Sequence, residues 1–128
     1  HTGYVLEAIY YYQKYTGNTR FNLHILKGLN YFLNNLIYDG FLPKYYSNRK
    51  YPIDSQTIAQ TILTYYIFKN EIDKPDEKIN NLFYWMLNNF YSNKGYFYFR
   101  IYPMYKIKIP YLRWSTSTIL LSLSKLLK

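Results

Sequence analysis

Tyr31-Phe32-Leu33-Asn34-Asn35-Leu36-Ile37-Tyr38-Asp39-Gly40-Phe41 comes back 54 to 55 residues later as Trp85-Met86-Leu87-Asn88-Asn89-Phe90-Tyr91-Ser92-Asn93-Lys94-Gly95-Tyr96. Each copy then runs through a Tyr-rich, Pro-containing stretch into a Ser/Thr-rich apolar segment. A fixed period of this length marks a repeat architecture. It also identifies equivalent places: His1, Asp54 and Arg113 fall at one phase of the repeat.

Working outward from the two copies, apolar residues recur at helical spacing. Thr2 to Tyr15 reads as a helix through Val5, Leu6, Ile9 and Tyr12, stopped by Thr16-Gly17-Asn18. Thr19 to Ile37 reads as a second, with Ile25, Leu29, Phe32 and Leu36 on one face and Asp39-Gly40 at its end. Phe41 to Ile53, with Pro43 and Pro52, predicts an irregular loop or short β-hairpin. Ser55 to Lys69 is the third helix, with Asp54 or Ser55 as its N-cap. Asp76 to Tyr91 is the fourth, striped by Ile79, Leu82, Phe83, Met86 and Phe90 and bracketed by Pro75 and Gly95. Gly95 to Ile109 reads as a hairpin, and Trp114 to Leu127 as a fifth helix.

The helices differ in kind. The second and fourth are amphipathic. The third and fifth are apolar or small nearly all round, through Thr57, Ala59, Thr61 and Thr64 in one and Ser115 to Thr118, Ser122 and Ser124 in the other. A helix without a charged face is expected to be buried. Crowded inner helices alternating with amphipathic outer ones are what an (α/α) toroid requires; an open helical solenoid fits the same period. The expected fold is therefore all-α, a partial (α/α) toroid with short β-hairpins between helix pairs. About two and a half repeats are present, fewer than ring closure needs, and the chain starts with His. Residues 1–128 accordingly read as a single domain, the C-terminal part of an incomplete toroid.

Bulk composition narrows the function classes. Cysteine is absent, which removes disulfides and thiolate metal sites. No apolar run reaches the ~18 residues of a spanning helix, so membrane insertion is not expected, and a cytoplasmic location is. The net charge of +9 favours an anionic partner: nucleic acid, lipid or acidic polysaccharide. Nucleic-acid binding would line Lys and Arg along one helix face; here they scatter over loops and helix ends, so no nucleic acid is expected. The 19 tyrosines accompany abundant Asn, Lys and Ile, a bias that lowers their individual weight. Of seven acids, Glu71, Asp73, Asp76 and Glu77 crowd one connection, leaving Glu7, Asp39 and Asp54 for carboxylate chemistry. Gly-rich phosphate loops, His-Glu-x-x-His, Gly-x-Ser-x-Gly and EF-hand patterns are missing. Two separated histidines, His1 and His24, make no zinc set. No cofactor and no metal are expected.

In this register the hairpins gather on one rim, the usual place for a site on a repeat scaffold. The rim carries His1, Lys44, Tyr45, Tyr46, Tyr51, Asp54, Tyr98, Arg100, Tyr111, Arg113 and Trp114. Aromatic rings cover the C–H faces of sugars while charged groups take hydroxyls, and Arg grips a carboxylate bidentately. Each residue has a structural reading beside this one: Asp54 as N-cap, Arg113-Trp114 as a cation–π entry pair, Tyr45 and Tyr46 as hairpin aromatics, Asn34-Asn35 and Asn88-Asn89 as helix-end residues. Glu7, one or two turns past His1, is a lone acid able to partner a cation.

His1-Thr2-Gly3-Tyr4-Val5-Leu6-Glu7, Pro43-Lys44-Tyr45-Tyr46, Tyr51-Pro52-Ile53-Asp54-Ser55 with Ala59-Gln60, Gly95-Tyr96-Phe97-Tyr98 and Ile109-Pro110-Tyr111-Leu112-Arg113-Trp114 resemble the C-terminal portion of a family of (α/α)-toroid proteins. Its members accompany bacterial and archaeal surface-polysaccharide biosynthesis genes and are similar to six-hairpin glycosidases and toroid sugar epimerases. Many are called delta-aminolevulinic acid dehydratases, a barrel chemistry with active-site lysines that nothing in this helical repeat supports. The chain departs from the family pattern at Trp114-Ser115, where Trp-Gly is expected, a change that bears on packing. The resemblance implies a carbohydrate-processing protein with an oligo- or polysaccharide partner, neutral or acidic. The reaction stays open. A glycosidase needs two carboxylates about 5 to 9 Å apart, of which Asp54 is one candidate. A lyase or epimerase needs a base and an enolate-stabilising cation, for which His1 or Tyr111 with Arg113 or Arg100 are candidates. The expected catalytic residues are His1, Asp54 and Arg113. Tyr45, Tyr46, Tyr51, Tyr98, Arg100, Tyr111 and Trp114 are expected to bind substrate. The alternatives are a non-catalytic glycan-binding or assembly scaffold, a terpenoid cyclase-like toroid (which would want an Asp-rich motif) or a nucleic-acid-binding helical repeat.

Overall fold

A computed structural model describes residues 1–127. Its helices are α1 (Thr2–Thr16), α2 (Asn22–Asn35), α3 (Ser55–Ile67), α4 (Pro75–Phe90) and α5 (Ser117–Leu126), the last entered through a π-helical turn at Leu112–Thr116. Short strands β1 (Ile37–Tyr38) and β2 (Leu42–Pro43) pair antiparallel, and β3 (Ile53–Asp54), β4 (Arg100–Ile101) and β5 (Lys106–Ile107) form a second antiparallel sheet. The chain is mostly helical with small sheets between helix pairs.

The repeat holds down to individual bonds. Lys44 N–H donates to Leu36 O at 2.7 Å, and 54 residues on Tyr98 N–H donates to Phe90 O at 2.8 Å. Asn35 Nδ2 donates to Tyr31 O and Asn89 Nδ2 to Trp85 O. Each amide returns to the carbonyl four residues back as a second donor beside the helical N–H, so the second Asn of each pair has a structural reason. The turn between β1 and β2 needs positive φ at Asp39 (50°) and Gly40 (77°), and Gly95 (84°) occupies the equivalent place. Asp and Gly tolerate that region best.

α3 is the centre. α1 and α5 flank it, α4 packs on it, and α2 packs on α1. Residues Ser55 to Tyr65 are buried except Gln56 and Thr57, and Ile58, Ile62 and Tyr65 meet Leu29, Phe32, Leu82, Met86, Phe90 and Ile119 in one core. Threonines survive there because their hydroxyls return to the preceding turn, Thr61 to Thr57 O at 2.9 Å and Thr64 to Gln60 O at 2.8 Å. Gly3 brings α1 close to α3: a Cβ on it would lie 2.8 Å from Thr64 Oγ1. At one end Gln56 donates to Tyr4 Oη and Ser55 to Trp114 O; at the other Tyr10 meets Phe68. α1, α3 and α5 thus run in one direction and begin at one rim. Both small sheets lie at that rim, and the α3–α4 connection lies at the far end.

Four expectations need correction. The second helix starts at Asn22 rather than Thr19 and stops at Asn35, because Ile37 is taken into β1 ahead of the Asp39-Gly40 turn. The third helix ends at Ile67. The Gly95–Ile109 hairpin also pairs with β3, Ile53 against Ile101 and Asp54 against Arg100, so one sheet ties the two repeats together. The fifth helix is not buried all round: Ile119 and Ser122 are covered, but Leu120 is 67% and Leu121 51% exposed. A charge-free helix is buried only where a neighbour covers each face, and α5 packs chiefly on α3. Its π entry follows from Tyr111 O, which accepts from Ser115 N–H, Thr116 N–H and Ser115 Oγ. The buried hydroxyl of Ser115 is therefore satisfied.

Candidate functional site: an aromatic and cationic rim

The rim is organised by the β3–β4 register. Asp54 ends β3 with extended backbone and caps α3, its Oδ1 accepting from Thr57 N–H at 3.0 Å and Thr57 Oγ1 at 3.3 Å. Its cross-strand partner is Arg100. Facing side chains in such a pair share one side of the sheet, and Arg100 Nε and Nη2 donate to Asp54 Oδ2 at 3.2 and 2.9 Å. Asp54 is 3% exposed. Burial works to lower the Arg100 basicity, but the Tyr102 side chain and the Asp54 carboxylate outweigh it and hold the guanidinium above its usual pKa. Arg100 is a permanent cation.

Aromatic rings extend from this ion pair in both directions. The Arg100 guanidinium lies 4.8 Å from the Tyr45 ring and 4.7 Å from the Phe99 ring. Tyr45 packs edge-on against Tyr46 at 4.8 Å, and Arg49 covers Tyr46 at 4.3 Å. On the other side Phe99 meets Tyr111 at 4.9 Å and Trp114 at 5.9 Å, and those two meet each other at 5.4 Å. Tyr46, Tyr45, Arg100, Phe99, Tyr111 and Trp114 make one surface, with Tyr45, Tyr46 and Trp114 each more than a third exposed.

The rest of the predicted set lies at its margins. Tyr51 is half-buried against the core, with Lys50 Nζ over its ring at 5.7 Å and over Tyr38 at 4.4 Å. Tyr98 lies under Lys108 and beside Tyr96. Lys44 Nζ donates to Ser47 O. His1 and Arg113 are exposed, and their backbone carbonyls accept from Val5 N–H and Ser117 Oγ. Among the described residues no hydrogen bond or ion pair joins either of them to Asp54. The expected catalytic trio therefore shares a repeat phase without sharing a bonded network. Glu7 accepts from Gln60 Nε2 at 2.8 Å on the α1–α3 face, apart from the Asp54–Arg100 pair. Among the described residues no group of three or more His, Cys, Asp or Glu could hold a metal ion.

Sequence reasoning missed Phe99, Arg49, Lys50 and Lys108. Phe99 was within reach, because the 54-residue period places it on Tyr45. The rim is an open surface. Two clefts lie elsewhere: about 510 Å³ at the far end beside Tyr10, Gln13, Asn22 and Phe68, and about 360 Å³ between α1 and α5 beside Tyr4, Glu7, Gln60 and Leu121. Also among the described residues, no helix is long and apolar enough to cross a membrane.

Comparison with known proteins finds no family model, no curated protein and no solved structure that matches this chain.

Proposed function

We propose that this chain is built from helical hairpins of the (α/α)-toroid kind and that its hairpin rim binds a glycan in polysaccharide metabolism. The observation that carries this reading is the unbroken surface from Tyr46 through Arg100 to Trp114. Exposed aromatic faces match the C–H faces of pyranose rings, and an Arg held by a buried carboxylate offers its remaining N–H groups in a fixed direction to hydroxyls or carboxylates. Asp54 acts as a positioning residue in this reading: Thr57 occupies one of its oxygens and Arg100 the other. Parallel α1, α3 and α5 with α2 and α4 packed on them fit alternating inner and outer layers. Hydrolase, lyase and epimerase chemistry all remain within the proposal, with His1, Tyr111 and Arg113 as the exposed or half-exposed groups at the rim edge.

The test is titration with neutral and acidic bacterial oligosaccharides, read by tryptophan fluorescence on the wild type and by calorimetry on the wild type and Trp114→Ala. Trp85, on α4, provides the internal control. Binding should quench Trp114, and Trp114→Ala should weaken it about tenfold, or about 1.4 kcal/mol. Binding that survives Trp114→Ala and Tyr45→Ala unchanged would remove the rim from the proposal. Mass spectrometry of the same glycans in D₂O separates the chemistries: hydrolysis adds water, a lyase leaves an unsaturated sugar, and an epimerase exchanges deuterium without cleavage.

A further inference from the structure

We infer that the glycan at this rim is polyanionic, its acidic groups read by a fringe of cations laid over aromatic rings. The inference rests on the glycan-binding reading and adds the charge of the ligand. Residues 37–54 and 93–113, the two hairpin segments, hold eight Lys and Arg against two acids, so six of the nine net positive charges are at this rim. One of the two acids, Asp54, is already paired with Arg100. The other, Asp39, is in the turn between β1 and β2. Four rim cations rest on aromatic faces: Arg49 on Tyr46, Lys50 on Tyr38 and Tyr51, Arg100 on Tyr45 and Phe99, Lys108 on Tyr98. A cation packed on a ring keeps its charge and loses side-chain freedom, so less entropy is lost when an anion arrives. The N-termini of α1, α3 and α5 add their positive dipole ends on the same side. Four of the other five acids, Glu71, Asp73, Asp76 and Glu77, collect at the far end with Lys69, Lys74 and Lys78 among them, beyond the 13 residues of α3, about 20 Å away. A carboxylated oligosaccharide is therefore drawn to the rim, while the aromatic surface takes the faces of its sugar rings.

The experiment uses a uronate tetrasaccharide, the same tetrasaccharide with its carboxyls reduced to alcohols, and a single-stranded oligonucleotide of equal charge. Affinities are measured at 50 and 300 mM salt. The uronate should bind at least about tenfold more tightly than its reduced form at low salt, and most of that advantage should vanish at high salt. Arg49→Gln with Lys108→Gln, two surface changes outside the core, should weaken the uronate several-fold and leave the reduced sugar unchanged. Equal affinity for the two sugars overturns the inference and leaves glycan binding standing. Binding of neither sugar overturns both. An oligonucleotide that binds as tightly as the uronate overturns the inference in favour of a surface reading charge without sugar.

Discussion

Asp54 joins two jobs in one side chain, and they can be separated. Oδ1 caps α3 and Oδ2 holds Arg100. Losing an N-cap costs about 1 kcal/mol, and leaving a partly buried ion without its partner costs about 3 kcal/mol or more. Asp54→Ala loses both, while Asp54→Asn keeps an oxygen for Thr57 and loses the ion pair. Urea unfolding should therefore rank wild type above Asp54→Asn above Asp54→Ala, with roughly 1 kcal/mol between the variants. Equal stability of all three would show that neither bond matters. The cap was legible in the sequence, since Asp before a helical run is a local signal. The Arg100 partner was not, because it lies 46 residues away and depends on a strand pairing that no local pattern announces. Tyr65 supplies a second test. It is fully buried with its hydroxyl 3.3 Å from Phe41 O, and burial raises its pKa well above the ordinary 10.0. Above pH 10 the unfolded chain releases this proton and the folded chain keeps it, so the contribution is complete below pH 10 and fades as pH climbs. Each pH unit past that point should cost the wild type about 1.4 kcal/mol more than Tyr65→Phe in chemical unfolding. Parallel alkaline profiles for the two proteins would show that Tyr65 is not the group responsible.

Among the elements, α5 shows how far pattern reading reaches. Its Ser, Thr and Leu content suggested burial on every side, because the sequence states what a helix can bury and not which neighbours it has. Ile119 is 1% exposed against α3, while the adjacent Leu120 points outward. Truncating Ile119 to Ala should cost about 2–4 kcal/mol. Replacing Leu120 by Glu should move the thermal midpoint little, since no packed side chain is lost. A large loss from Leu120→Glu would mean that the outer face of α5 is covered in solution. α1 gives the opposite case. Its helical span was readable, but its buried face was not: Val5 and Tyr12 are exposed while Leu6 and Gly3 are buried, and the reason for Gly3 lies in Thr64 and Gln60 of α3. Gly3→Ala forces its methyl against Thr64 Oγ1 and Gln60 Cγ, both within 3 Å. Gly→Ala within a helix ordinarily stabilises by up to about 1 kcal/mol; here the overlap should reverse that sign. The repeat itself was the most legible feature because it is written twice. Its hairpin bonds recur from Lys44–Leu36 to Tyr98–Phe90 without need of any long-range partner.

For the whole molecule, the decisive property is how charge is distributed. Total charge was plain from composition, and so was the acidic cluster in the connection before α4. That the two cationic hairpins gather on one rim was readable from their register in the repeat, whereas the β3–β4 pairing that joins them was not. This arrangement has a cost in stability. Eight cations gathered with two acids repel one another, and the repulsion is relieved on unfolding as the chain expands. The charges sit mostly in solvent, so added salt screens them; at 0.15 M the screening length is about 8 Å, comparable to the spacing of neighbouring side chains. The Asp54–Arg100 pair is partly buried, is screened less, and so opposes this trend weakly. Thermal stability should therefore rise from 20 to 300 mM sodium chloride. Lys106→Gln, Lys108→Gln and Arg113→Gln combined should raise the midpoint at low salt and flatten the salt dependence. The same three changes should weaken an acidic ligand, since the charges that strain the free protein are the ones a polyanion neutralises. Binding and stability would then move in opposite directions with salt, a pairing that an evenly distributed charge of the same total would produce much less strongly. A midpoint that falls as salt is added would show instead that attractive pairs dominate the rim.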